Sequence, residues 1–163
     1  MTNEIHLYTD GASTGKTARG GWGYIAIRVP GDVEILRGSA GQDNTTNNRM
    51  ELMAVIAGLT DLLPSEEKIV IHSDSQYVIG GFSNRWVAKW KSNGWISSTG
   101  NPVKNQDLWE HLDSLVKNRN IEWRWVRGHS ENKYNDIADS LAVAAKGGKT
   151  KSKRAKAKVH DRD

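Results

Sequence analysis

The 163-residue sequence predicts an α/β fold, a mixed five-stranded sheet flanked by helices, and three observations carry that reading. Strand-like runs crowd the first forty residues, helical and strand-like segments then alternate, and turn residues separate nearly all of them. Glu4–Asp10 reads as a strand closed by the turn pair Asp10-Gly11. A Gly-rich loop leads to a second strand, Gly21–Val29. Pro30-Gly31-Asp32 turns the chain into a third, Val33–Gly38, giving an antiparallel meander.

From Arg49 the period changes to that of a helix, with Leu52, Val55, Ile56, Leu59 and Leu62/Leu63 recurring and Pro64 closing the element. Lys68–His72 is a short apolar strand. Asp74/Ser75 opens a second helix through Tyr77, Val78 and Ile79, whereas Gly81–Val103 mixes Trp, Lys, Gly and Asn without a clear period. Helical spacing returns at Leu108, Leu112, Leu115 and Val116. Ile121–Val126 alternates like a strand, and a last helix runs from about Lys133 to Ala145, stopped by Gly147-Gly148.

Composition narrows the function classes. The chain has no cysteine, which removes disulfides, thiolate metal sites and cysteine nucleophiles. It has no apolar run near the roughly 18–20 residues that span a bilayer, and Met-Thr-Asn-Glu-Ile-His lacks a signal-peptide pattern. A cytoplasmic protein without membrane attachment is expected. The net charge of +4 is unevenly spread. Eight Lys/Arg from Lys146 onward, against Asp161 and Asp163, make that stretch +6, so the rest is +4 − 6 = −2. Residues 1–146 are expected to form the catalytic domain, and 147–163 a basic tail too poor in apolar residues to hold regular structure.

Acidic residues mark the candidate site. Asp10 ends the first strand, Asp74 follows the strand Lys68–His72, Glu51 lies in the first turn of the helix near Arg49, and Asp139 sits one turn after Asp136. If the first and fourth strands are neighbours, Asp10 and Asp74 leave the sheet at one edge, within reach of Glu51 and Asp139. Four facing carboxylates repel unless a cation neutralises them, and oxygen-only ligands favour Mg²⁺ or Mn²⁺. Two ions roughly 3.5–4 Å apart suit phosphodiester hydrolysis. Taken singly, each acid has a plainer reading as a turn residue, helix cap, dipole partner or solvated charge.

Local sequence favours the cluster. Tyr8-Thr9-Asp10-Gly11-Ala12, Thr45-Thr46-Asn47-Asn48-Arg49-Met50-Glu51-Leu52 and His72-Ser73-Asp74-Ser75-Gln76-Tyr77-Val78 occur in order. Pro102–Trp109, Trp125-Val126-Arg127-Gly128-His129 and Asn135–Ala142 follow. Over residues 4–145 this series resembles the type 1 ribonucleases H. The resemblance implies the ribonuclease H-like fold, with three antiparallel strands before the parallel ones. It implies an endonuclease that cuts the RNA strand of RNA–DNA hybrids with two Mg²⁺ ions (Mn²⁺ as an alternative), leaving 3′-hydroxyl and 5′-phosphate ends. Asp10, Glu51, Asp74 and Asp139 become the metal-binding carboxylates, and His129 an assistant in proton transfer or release.

Substrate contacts follow from the same resemblance. Asn47, Asn48 and Gln76 can both donate to and accept from a 2′-hydroxyl, and the backbone of Gly11 and Ala12 is expected to approach the RNA. Arg85–Trp95 carries three cations, three Trp and no acid, and resembles a basic protrusion for the DNA strand. Within it Lys91 and Trp95 are the expected contacts, with Lys104 beyond it, while Trp86 and Trp90 are assigned to packing. The expected partner is the hybrid, and the protein is expected to be a monomer. Two rival classes stay open: a two-metal DNA nuclease of the same fold, which would lack the Asn47-Asn48 and Trp/Lys features, and a non-catalytic hybrid-binding module.

Overall fold

The computed structural model describes residues 3–15, 18–128 and 132–147, together with the backbone of Ser152–Arg154. Three long strands form the meander: β1 (Glu4–Ser13), β2 (Ala18–Val29) and β3 (Val33–Thr45). Next come α1 (Asn47–Asp61), β4 (Lys68–Ser73), α2 (Gln76–Ser83), α3 (Trp86–Asn93), α4 (Gln106–Val116), β5 (Ile121–Trp125) and α5 (Lys133–Lys146). The five strands order as β5-β4-β1-β2-β3, with β1–β2–β3 antiparallel and β4 and β5 parallel to β1, which is the predicted mixed sheet.

Period-two alternation divides the core into two faces. Ile5 and Leu7 of β1 and Trp22, Tyr24 and Ala26 of β2 turn toward α1, whose Leu52, Val55, Ile56 and Leu59 are fully buried among them. Tyr8 of β1 and Ile25 and Ile27 of β2 turn the other way, against Ala138 of α5. The helix α1 is the central one, buried on most of its circumference. Thr46 caps it by accepting from the Arg49 N–H at 3.2 Å. The helix ends at Asp61, as Pro64 requires the residue before it to be extended. Leu62 is buried while Leu63 is 84% exposed, so only the first of that pair serves the core.

The structure departs from the reading of the sequence in four places. Asp10-Gly11 is not a turn, because β1 continues to Ser13, pairing Asp10 with Gly23 and Gly11 with Trp22. A turn-prone pair stays extended when a neighbouring strand and a helix hold it, here β2 and α1. The strand β3 runs on to Thr45, and a shift in pairing at Ala18/Gly20 absorbs the irregular register. Helix α3 arises inside the unassigned stretch, between left-handed Arg85 (φ 61°) and Gly94 (φ 81°). The tail is also not wholly irregular: Ser152–Arg154 forms β6, antiparallel to Leu36–Gly38 of β3. An edge strand offers unpaired backbone groups to any extended segment tethered nearby, whatever its side chains.

Candidate active site

Parallel pairing of β1 with β4 sets Tyr8 opposite His72. Two residues further along both strands, Asp10 and Asp74 therefore emerge side by side, which meets the condition posed from sequence. Asp74 follows the last residue of β4, and its backbone is held on two sides. The Trp125 indole N–H donates to the Asp74 carbonyl at 3.1 Å, and the Val126 N–H donates to the Ser73 carbonyl at 2.9 Å. Ser75 then caps α2 by accepting from the Val78 N–H.

Two glycine positions decide how closely the helices reach these acids. A Cβ on Gly11 would lie 2.3 Å from the Met50 carbonyl carbon and 2.4 Å from the Glu51 nitrogen. The absent side chain lets the α1 backbone lie directly on β1 and delivers Glu51 to the cluster. On the opposite face, a Cβ on Gly23 would meet Leu141 Cβ at 2.6 Å and the Ala138 carbonyl oxygen at 2.8 Å. Gly23 pairs with Asp10, so the close seat of α5 on β2 brings Asp139 over Asp10. Glu51 is the fifth residue of α1, a turn deeper than expected, because the helix begins at Asn47.

Ligand atoms of Asp10, Glu51 and Asp74 all lie within 4.8 Å of one another. Asp139 lines the same cavity as Asp10 and Asp74, together with Thr9, Val126, Arg127, Gly128, Asn135 and Asp136, and its carboxyl is close enough to that of Asp10 to disfavour the Asp10 anion. Burial pushes the Asp10 carboxyl up to about 8, with the Asp74 charge and the Asp139 carboxyl adding to the effect and the Gly11 N–H, at 2.9 Å, opposing it. Glu51 is raised well above the usual carboxylate range, first by burial and then by Asp10 and Asp74. Such a cluster disfavours its own ionised form and gains from a cation.

The donor set fits a hard divalent ion. Every ligand is a carboxylate oxygen, and buried Glu51 Oε1 has no hydrogen-bond partner among the described residues, an orphan that a cation would satisfy.

Beside the cluster, Asn47, Asn48 and Lys104 line a surface groove with Ser13, Thr14, Gly15, Thr46 and Asn105. Gln76, the first residue of α2, is exposed two positions from Asp74. The closeness that Gly11 permits is used by α1, and Gly11 is buried while Ala12 is partly exposed. Lys91 pairs with Asp113 at 3.0 Å, and Trp95 is half-buried against Trp90, ring centroids 5.9 Å apart. His129 lies outside the described residues. Reading from sequence missed Arg127 and Asn135 in the acidic cavity and Asn105 in the groove. All three sit within the short motifs around the acids and Lys104, but nothing in their type or spacing singled them out.

A sequence profile of the RNase H family matches residues 2–146. The chain belongs to the RNase H family. The Ribonuclease H of Treponema denticola is 44% identical over 154 residues, covering 86% of this chain and 96% of that one. The Ribonuclease H of Pseudomonas fluorescens is 44% identical over 142 residues, covering 87% and 91%. Among solved structures, LC9-RNase H1, described as a type 1 RNase H with the type 2 active-site motif, superposes with a TM-score of 0.80 at 29% identity, over 95% of this chain and 79% of that one. A foamy viral protease-reverse transcriptase solved in complex with an RNA/DNA hybrid shares the fold, with a TM-score of 0.76 at 21% identity over 87% of this chain and 20% of that one. This RNase H is accordingly an enzyme, a nuclease that degrades RNA within RNA–DNA hybrids. Among its described residues no helix is long and apolar enough to cross a membrane.

Proposed function

We propose that residues 1–146 form the catalytic domain of an endonuclease that hydrolyses the RNA strand of a hybrid by a two-metal mechanism, leaving 3′-hydroxyl and 5′-phosphate ends. The observation that carries this reading is the meeting of Asp10, Glu51 and Asp74 within 4.8 Å, with Asp139 against Asp10, beside the groove of Asn47 and Asn48. Mg²⁺ is the proposed ion, with Mn²⁺ as a substitute, and Asp10, Glu51, Asp74 and Asp139 would hold it. When bound, such ions supply activation of the attacking water and neutralisation of the leaving oxygen.

The chain's own residues do the rest. The carboxylates fix where the scissile phosphate can sit, since each comes from a different rigid element. Asn47, Asn48 and Gln76 read the 2′-hydroxyls, being able to donate and to accept. Lys91, Trp95 and Lys104 steady the strands through phosphate charge and sugar-face contact, Lys91 exchanging Asp113 for phosphate. His129 moves a proton during turnover. The protein acts as a monomer in the cytoplasm.

A strand-labelled cleavage assay on hybrid, duplex DNA and duplex RNA, with and without Mg²⁺, tests the reading. RNA-strand products from hybrid alone, only with Mg²⁺, are expected, together with their loss in Asp10→Asn while hybrid binding persists. Cleavage of duplex DNA would favour the DNA-nuclease rival, and binding without turnover the non-catalytic one.

A further inference from the structure

Arg49 directly follows Asn47–Asn48 and lies two residues before Glu51, where a cation beside the groove invites assignment as a substrate ligand. The structure directs its guanidinium elsewhere. Arg49 Nη1 and Nη2 donate to both carboxylate oxygens of Asp107, at 3.0 and 2.8 Å, in a two-pronged pair, and Nη1 also donates to Asn105 Oδ1 at 3.2 Å. From Asn105 the chain of bonds continues: Asn105 Nδ2 donates to the Tyr77 hydroxyl at 3.1 Å, which also accepts from the buried Trp109 indole at 2.9 Å. Asn105 itself is held in the left-handed region, φ 60°, at the start of α4.

The network joins three segments far apart in sequence, and each carries an expected substrate contact next door. Arg49 follows Asn47 and Asn48 in α1, Tyr77 follows Gln76 in α2, and Asn105 follows Lys104. The Asn47–Asn48 and Lys104–Asn105 walls of one groove are thus tied across the gap by the Arg49 bonds. A forked guanidinium fixes separation and orientation together, which a lone lysine contact would not.

We propose that Arg49, through Asp107 and Asn105, is a positioning residue that sets the width of the hybrid-binding groove and does not bind phosphate itself. The inference deepens the proposed function and rests on it. Asp107 is 65% exposed on its side chain, so the pair contributes little to folding and its removal can be read in substrate recognition.

The test uses the full-length chain and steady-state cleavage of hybrid. Arg49→Met and Asp107→Asn each raise KM about tenfold, as expected for removal of a charge-assisted bond, while kcat stays within about twofold. The double variant is no worse than the more affected single one, since both break the same pair. The dependence of log KM on log salt keeps its slope in every variant. A slope about one unit shallower in Arg49→Met would mean a direct phosphate contact and would overturn the proposal. So would an unchanged KM in Asp107→Asn. If Arg49→Met fails to fold, Tyr77→Phe, which removes the acceptor shared by Asn105 and Trp109, is the alternative variant and must show the same KM-weighted loss. Failure of the wild-type chain to cut hybrid would instead overturn the parent reading, which keeps the two outcomes apart.

Discussion

Without divalent cations, folded Asp10 binds its proton far more tightly than the unfolded chain does, because burial and then Asp74 and Asp139 disfavour its anion. Below the ordinary value of 3.8 both states hold the proton; between there and about 8 the unfolded chain releases it first, so folding loses stability as pH rises. Glu51 is shifted in the same direction. Thermal melts in EDTA should therefore show Tm falling from pH 5 to pH 8, and added Mg²⁺ should restore more at pH 8 than at pH 5, where protons compete for the ligands. Asp10→Asn should flatten the EDTA profile and raise Tm at pH 8 by about 3 °C, on the scale of one kcal/mol for a chain this long. A Tm that rises with pH in EDTA would contradict the placement of these acids. At the same scale, Asp74→Asn should leave hybrid binding measurable and remove cleavage, read by filter binding beside the strand-labelled assay.

Between elements, the site depends on how closely helices approach strands. Gly11→Ala forces a methyl into the main chain of α1 at 2.3–2.4 Å, where no flexible side chain can yield. The expected loss is about 3 kcal/mol in urea unfolding, with kcat falling as Glu51 is displaced. If Gly11→Ala keeps both stability and activity, the close seating of α1 on β1 is wrong. Much at this level was legible in advance: the helix periods of α1 and α5, and the strand β4 ending just before Asp74. The extension of β1 through Asp10-Gly11 was not, because a local turn signal competes with pairing partners that are remote in sequence. Helix α3 was unreadable for a related reason. Its Trp90 packs edge-on against Trp109, with centroids 5.6 Å apart, while Trp95, just beyond the helix, occupies a left-handed position at φ 65°.

Across the whole molecule, charge is segregated: a body of −2 carrying the acidic cavity, and a +6 stretch from Lys146 onward. We propose that this stretch adds non-specific affinity for nucleic acid, even with Ser152–Arg154 paired to β3. Removal of residues 147–163 should weaken hybrid binding and make its salt dependence shallower, by roughly one unit of slope for each phosphate no longer neutralised. Filter binding at several salt concentrations measures this, and an unchanged slope would reject it. The cleavage rate at saturating hybrid should hardly change, because Asp10, Glu51, Asp74 and Asp139 all lie within residues 10–139.

From the residues alone came most element types, the absence of thiol chemistry and the short motifs around each acid, because periodicity, composition and local motifs are properties of neighbours in the chain. Only the tertiary structure decided that β1 and β4 are adjacent, that Gly11 and Gly23 admit two helices from opposite faces, and that Arg49 faces Asp107 and Asn105. Those are meetings of segments tens of residues apart, selected by packing of the whole chain, and no local pattern encodes the distance between them.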